Sequence, residues 1–227
     1  MLTEPVTAAD VAHALPGIAA LRDRCRALAT LDAVMSPEWG DRYYSFDSRW
    51  GEGEEMASMR NGSGDEWSIV FSAAGAFIRG FDHESDMSPY ADEDHRLWPG
   101  LVESVPEAFA QCVAEPAFSD DRSLLATVVL WRGRHDDRWH HGDVTFPGGE
   151  DPDGADWLFE VLVDDTPAAY QRFADEYYEV ELDARAISEV LSLAPLTDEL
   201  VESLNPDVDL ETLATDLAAI GYPAASR

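Results

Sequence analysis

The fold is decided by residues 42–81, which read RYYSFDSRWGEGEEMASMRNGSGDEWSIVFSAAGAFIRGF. Apolar side chains recur at a period of two along this stretch, and turn-forming residues interrupt it at regular intervals. The pair Asn61-Gly62 is typical of a tight hairpin, because both residues tolerate positive φ. The pattern therefore predicts an antiparallel meander. Four strands are expected, at 42–50, 55–60, 65–72 and 76–81.

The segments outside the meander predict further strands and flanking helices. Thr7 followed by Asp10, with apolar residues at three- and four-residue spacing, predicts helices within 7–33 that break at Pro16 and Gly17. Further strands are expected at 123–131, 138–145 and 157–163, and short helices within 98–113. Caps at Thr166, Asp183, Thr197 and Asp209 predict four helices between 166 and 221.

Together these elements predict a single α+β domain over residues 1–227. Its mainly antiparallel sheet has about six to seven strands within 42–163, with N-terminal helices before it and a cluster of short C-terminal helices after it. Hydrophobic residues make up 45% of the chain and include seven Trp, seven Tyr and nine Phe, which is enough to fill a core of this size.

The chain is strongly acidic. It contains 46 Asp and Glu against 15 basic residues, all of them Arg, and its formal net charge is −31. Such a charge repels nucleic acid phosphates and anionic lipids, so we expect neither nucleic-acid nor membrane binding. The absence of Lys excludes a lysine Schiff base or a catalytic lysine. A basic protein is the partner that this charge favours.

The N-terminal sequence predicts a cytoplasmic protein. MLTEPVTAAD has neither a basic start nor an apolar run, and no later segment is apolar over the length of a membrane span. The two cysteines, Cys25 and Cys112, are too few for a disulfide framework or a four-ligand zinc site. We expect both to be reduced thiols.

The negative charge is concentrated near the C-terminus. Residues 150–216 contain 20 Asp and Glu but only two basic residues, Arg172 and Arg185. Carboxylates displayed on helices can occupy the positions of phosphates on a basic partner and speed association. The predicted partner-binding residues are Asp198, Glu199, Glu202, Asp207, Asp209 and Glu211.

The sequence therefore favours a non-enzymatic acidic module that binds and neutralises a basic protein, as inhibitors of nucleases do. In its acidity and α+β class the chain resembles bacterial immunity proteins; the resemblance is one of overall character and includes no motif. No cofactor is expected, because the chain lacks a Rossmann glycine pattern, a phosphate loop, His-Glu-x-x-His and Cys-x-x-Cys.

Seven of the 15 arginines lie in the first 79 residues. Arg22, Arg24 and Arg26 form the chain's one basic concentration, and we expect them to pair with the protein's own acids. Their separation in sequence from the acidic C-terminal helices also leaves open a homodimer in which opposite charges meet.

The densest group of polar residues follows the meander and is a candidate ligand loop of Asp82, His83, Glu84 and Ser85. If the strand continued, His83 and Ser85 would share one face while Asp82 and Glu84 pointed the other way. This alternation disfavours a catalytic triad, and no Gly-x-Ser-x-Gly elbow occurs.

A second group offers the ligand types that a divalent metal requires, at His135, His140, His141 and Asp143. Their spacing matches no named site. The alternative function is therefore a metal-dependent hydrolase that uses these residues, with His83 or His95, and neighbouring carboxylates. A third interpretation is a soluble domain of unassigned function, whose acidity serves solubility or salt adaptation.

Overall fold

The computed structural model describes residues 5–120 and 123–223. These residues form two compact units that are interleaved in sequence. Unit 1 contains residues 5–18 and 60–163, and unit 2 contains residues 19–59 and 164–223. The expected single domain stays a prediction.

Unit 1 is built on four antiparallel strands that neighbour one another in chain order. They are β3 (Glu66–Ser72), β4 (Gly75–Phe81), β5 (Val128–Gly133) and β6 (His140–His141). β4 is buried at every residue, because it lies between β3 and β5. The α-helices of unit 1 are α1 (Ala8–Ala14), α3 (Ala110–Val113), α4 (Ala155–Leu158) and α5 (Glu160–Val163). α1 contacts α4, β5 and β6.

Unit 2 combines a β-hairpin with five helices among its described residues. The hairpin pairs β1 (Tyr44–Gly51) with β2 (Glu54–Arg60). The helices are α2 (Ile18–Met35), α6 (Pro167–Tyr177), α7 (Ala184–Leu191), α8 (Asp198–Leu204) and α9 (Leu210–Ile220). α9 contacts β1, where the Ser48 hydroxyl donates to the Ala219 carbonyl at 2.6 Å. α9 ends at Gly221, whose φ of 72° suits glycine.

The structure confirms the α+β class, the antiparallel strands of the meander and the four C-terminal helices. Three of the four C-terminal caps act as expected. The side chains of Asp183, Thr197 and Asp209 accept backbone N–H bonds from Arg185, Leu200 and Thr212. No helix within the described residues is long and apolar enough to cross a membrane.

The predicted strand at 157–163 is wrong, because this segment forms α4 and α5. Gly154, at φ 76°, turns the chain before α4. Asp151 accepts the amides of Asp156 and Trp157, each at 3.3 Å, so these donors of the first turn have an acceptor. Buried residues recur at helical spacing, at Ala155, Leu158, Phe159 and Leu162, and Val161 is buried as well. A short apolar run does not by itself distinguish a strand from a buried helix.

The two strands predicted before that segment are shorter than expected. β5 begins at Val128 and not at 123, because the residues before it pair elsewhere: Leu124 forms an isolated antiparallel bridge with Ser119, and the Leu125 amide donates to the Phe118 carbonyl at 2.9 Å. β6 contains only His140 and His141. β6 is therefore a short strand at the edge of the sheet. The loop before it, residues 134–139, lies beside α1.

Candidate functional site

The six predicted partner-binding residues form a surface of unit 2 that we call the acidic face. All six are exposed, on α8, on α9 and in the turn between them. The same helices bury Leu200, Val201, Leu204 and Leu213. Burial of these apolar side chains fixes the helices and leaves their carboxylates in solvent.

The acidic face is not neutralised by the protein's own arginines. Among the described residues, no side chain of the acidic face forms an ion pair. The arginines of α2 pair with other acids, as expected: Arg22 and Arg26 with Glu55, and Arg24 with Asp165 at 3.5 Å. The buried Arg42 binds both carboxylate oxygens of Asp216, each at 2.9 Å.

Local hydrogen bonds keep two members of the acidic face ionised. The Thr212 amide donates to Asp209 at 2.8 Å, and this bond, with the Thr212 hydroxyl, holds the pKa of Asp209 below its ordinary value. The pKa of Glu199 is likewise lowered, by its own amide and by the Thr197 hydroxyl. These two carboxylates of the acidic face are therefore negative at neutral pH.

The predicted ligand loop begins where β4 ends, at Phe81, so the strand alternation expected for this loop does not apply. Asp82 and His83 lie on the same side, and with Asp65 they offer three ligand atoms within 4.8 Å of one another. Ser85 is buried elsewhere. Its hydroxyl donates to the Pro152 carbonyl at 2.8 Å, so it is not a nucleophile aimed at His83.

Asp65 orients the His83 ring. Its Oδ1 lies 2.6 Å from His83 Nδ1 and accepts the His83 amide at 2.9 Å, while Oδ2 accepts from Asn61 Nδ2 at 2.6 Å. Burial acts to raise the pKa of Asp65, but the donors from His83 and Asn61 outweigh it and the pKa is lowered. The carboxylate in turn raises the pKa of His83. Nδ1 is occupied, so Nε2 is the nitrogen left for a ligand or a proton.

Asp82 is held by the segment that leads into α4. Its Oδ1 accepts the Glu84 amide at 2.9 Å and its Oδ2 accepts Trp157 Nε1 at 3.2 Å. A Cβ on Gly154 would stand 2.5 Å from the Asp82 Cβ, so only glycine fits there. Each carboxylate oxygen of Asp65 and Asp82 thus already accepts a hydrogen bond. A metal bound here would compete with these donors.

A fully buried carboxylate lies next to this group. Asp153 is 0% exposed and accepts the amides of Ala8 at 2.9 Å and Ala155 at 3.2 Å. Burial raises the pKa of Asp153 to about 6, although these amides act in the opposite direction. The residue joins the first turn of α1 to the start of α4, so its role is structural.

The four residues of the predicted metal site do not meet at one point. In the part of the chain that the structure describes, three metal-type side chains converge only at Asp65, Asp82 and His83. His140 pairs with Asp136 at 3.3 Å, and His141 Nδ1 lies 2.8 Å from the Gly142 carbonyl. His140 and His141 line one cleft. Asp143 lines a different cleft, whose lining residues come from the segments 86–100 and 143–145.

Sequence reasoning found His83 and Asp82 but missed Asp65, which belongs to the turn before β3. The only available signal was its position just after the Asn61-Gly62 hairpin. Hairpin pairing of β3 with β4 places Glu66 opposite Phe81, and this register brings the residues just before and after the pair together.

Comparison with protein-family models, with curated proteins and with solved structures finds no match for this chain.

Proposed function

We propose that this protein is a non-enzymatic acidic module that binds a basic partner protein through the acidic face, in the manner of an inhibitor or immunity-type protein. The observation that supports the proposal is that the six carboxylates are exposed and have no ion-pair partner in the described chain. A partner bearing arginine or lysine would supply the missing counter-charges.

The distribution of arginine supports a partner of a different kind over a second copy of this chain. Arg22, Arg24, Arg26 and Arg42 pair with carboxylates inside unit 2. A homodimer in which these arginines met the acidic face would have to break those ion pairs. A basic protein would bring new cations, and the chain's field would attract it over a distance that depends on salt.

The test compares two variants of equal net charge. In the face variant, Asp198, Glu199, Glu202, Asp207 and Glu211 become Asn or Gln; Asp209 is kept because it caps α9. In the control variant, five exposed acids of unit 1 are neutralised in the same way. These are Glu84, Asp86, Glu93, Glu107 and Glu150.

Partners captured by the wild-type protein are identified by mass spectrometry, purified, and titrated against all three proteins. We expect a basic partner whose affinity falls roughly 50-fold or more in the face variant and less than threefold in the control variant. The wild-type association rate should fall steeply with salt. Equal losses in both variants would show that only bulk charge acts, and an acidic or neutral partner would refute the proposal.

Metal-dependent hydrolysis is the second candidate, favoured by the convergence of Asp65, Asp82 and His83. It predicts stoichiometric metal after purification without chelator. It also predicts that Zn²⁺ or Mn²⁺ raises the melting temperature of the wild-type protein but not of His83→Gln. Protein that holds no metal and shows no such shift would remove this candidate.

A further inference from the structure

Unit 1 contains a cleft of about 490 Å³ between α1 and the segment of β5 and β6. Its polar lining consists of His13 from α1 together with Arg132, Asp137, Arg138, His140 and His141. We call this the arginine–histidine cleft. One wall is fixed by Trp139, which is buried and donates from Nε1 to the Pro16 carbonyl at 2.7 Å.

The two arginines of this cleft differ from most others in the chain. Eight described arginines form ion pairs with carboxylates. They are Arg22, Arg24, Arg26, Arg42, Arg79, Arg96, Arg172 and Arg185. Arg132 and Arg138 form none within the described residues. Arg132 donates from Nε to the Asp136 carbonyl at 3.2 Å, which leaves the terminal nitrogens of its guanidinium for other acceptors.

The nearest carboxylates do not fill this role. Asp136 Oδ2 accepts the Gly133 amide at 2.9 Å and lies 3.3 Å from His140 Nε2, so it is engaged beside the cleft. Asp137 is then the one carboxylate in the lining, against two guanidinium groups and three imidazoles. In a chain with threefold more acidic than basic residues, this local excess of cationic and donor groups is unusual.

The donor set selects the ligand chemistry. Guanidinium groups repel a divalent metal, so the imidazoles of this cleft are poorly suited to hold one. They match oxyanions, because arginine presents planar N–H donors and imidazole can add one more. The donors come from α1, from β5, from β6 and, for Arg138, from the loop between β5 and β6. Donors on several elements suit the three terminal oxygens of a phosphate group, whereas a carboxylate has only two oxygens.

We propose that the arginine–histidine cleft binds a phosphate-bearing small molecule, with Arg132 and Arg138 contacting the phosphate oxygens. The cleft has the size of a typical small-molecule site. The protein as a whole is far too negative to attract nucleic acid, so the ligand is a free metabolite and not a polymer. This site does not depend on the acidic face.

The test is calorimetric titration with inorganic phosphate at constant ionic strength, with citrate as the carboxylate arm. Arg138→Gln is the main variant, since Arg138 is exposed and has no described intramolecular partner that its loss would disturb. Arg132→Gln is the second. Arg134→Gln is the matched control, because Arg134 is exposed on the same segment, forms no ion pair among the described residues and does not line the cleft.

We expect saturable phosphate binding with a Kd below about 10 mM. Each of Arg138→Gln and Arg132→Gln should weaken it roughly tenfold or more, while Arg134→Gln should leave it unchanged. The face variant should bind phosphate like the wild-type protein, so this outcome is independent of the proposed function. Absence of saturation, tighter binding of citrate, or an equal loss in Arg134→Gln would overturn the proposal.

Discussion

Unit 2 contains two opposite uses of a carboxylate. Asp32 in α2 is 0% exposed: its Oδ2 accepts the amides of Tyr43 at 2.8 Å and Tyr44 at 2.7 Å, and its Oδ1 accepts the Tyr170 hydroxyl at 2.8 Å. The residues of the acidic face lie in solvent without a cation. In a chain with 46 acids, abundance does not distinguish structural from functional carboxylates. The two kinds are distinguished by their burial and by the number of hydrogen-bond donors that contact the carboxylate.

This contrast predicts a large loss of stability when Asp32 is removed. Asp32→Ala leaves two amides and a buried hydroxyl without their acceptor, at the point where β1 and α6 meet α2. We expect the free energy of unfolding to fall by about 3–5 kcal/mol. Urea unfolding followed by circular dichroism measures it. Asp207→Ala on the acidic face is the control and should leave the unfolding curve unchanged. Similar losses in both variants would erase the distinction.

In unit 1, we expect a smaller loss of stability for Asp153→Ala. Asp153 supplies the acceptor for two amides, Ala8 and Ala155, and for no hydroxyl. The free energy of unfolding should fall by about 2–3 kcal/mol. Hydrogen exchange should accelerate at Ala8 in particular, because α1 loses a bond at its first turn. An unchanged exchange rate at Ala8 would contradict this role.

The pH dependence of stability distinguishes the two kinds of carboxylate further. Burial raises the pKa of Asp32 to about 6, while the Tyr44 amide and the Tyr170 hydroxyl act to lower it. The folded state therefore holds this proton more tightly than the unfolded state. The part of the stability that is linked to this proton is fully present below about pH 4 and is lost as the pH rises through 6. The amide of the Asp32→Asn variant cannot ionise, so this variant should not lose that stability as the pH rises.

We therefore expect the stability of Asp32→Asn relative to the wild-type protein to increase between pH 4 and pH 7.5, by on the order of 1–3 kcal/mol. Urea unfolding at several pH values gives this difference directly, because contributions from all other groups cancel. A difference that stays constant with pH would show that Asp32 titrates alike in both states.

In the ion pair of His83 and Asp65 the His83 side chain is 33% exposed, so we predict a smaller effect there. The raised pKa of His83 contributes stability that is present below the ordinary pKa of histidine and is lost as the pH rises through its folded value. At acid pH the ion pair is limited by Asp65: because the pKa of Asp65 is lowered, its contribution to the stability of the fold is lost as the pH falls through that pKa. His83→Gln should cost less than about 1 kcal/mol at pH 6 and still less at pH 9.

Urea unfolding at both pH values tests this window. His13→Gln is the control, because His13 is exposed and forms no ion pair in the part of the chain described. A cost for His83→Gln that grows from pH 6 to pH 9 would contradict the proposed pairing.

The sequence predicted local structure well where a specific residue imposes it. Asp183, Thr197 and Asp209 mark the helix starts. Asn61-Gly62 lies in the turn between β2 and β3, but this turn is longer than the tight hairpin expected: it spans residues 61–65, and positive φ occurs at Gly62 and Gly64 and not at Asn61. Prediction was wrong at 157–163, because a short apolar run fits a buried helix as well as a strand. The helix start is marked by Asp151, which accepts the amides of Asp156 and Trp157.

Site residues were harder to predict because they depend on which distant segments meet. The exposure of the acidic face follows from helix periodicity, so the sequence was sufficient. The buried roles of Asp32 and Asp153 arise from contacts with residues more than a hundred positions away, Tyr170 and Ala8. Pairing between such segments leaves no local pattern in a chain so rich in acids.

The smallest effect is expected when the acidic face itself is neutralised in the free protein. The face variant removes five negative charges that contact no cation, which relieves repulsion. Three of them, Asp198, Glu199 and Glu211, lie in the first turns of α8 and α9, where the helix dipole favours a negative charge, so the two effects oppose each other and the melting temperature should change little at low salt. At about 1 M salt, where the screening length is about 3 Å, the difference from the wild-type protein should vanish. Scanning calorimetry at both salt concentrations measures this. A lower melting temperature would mean that these carboxylates stabilise the fold, and they would then belong with Asp32 and not with a surface kept free for a partner.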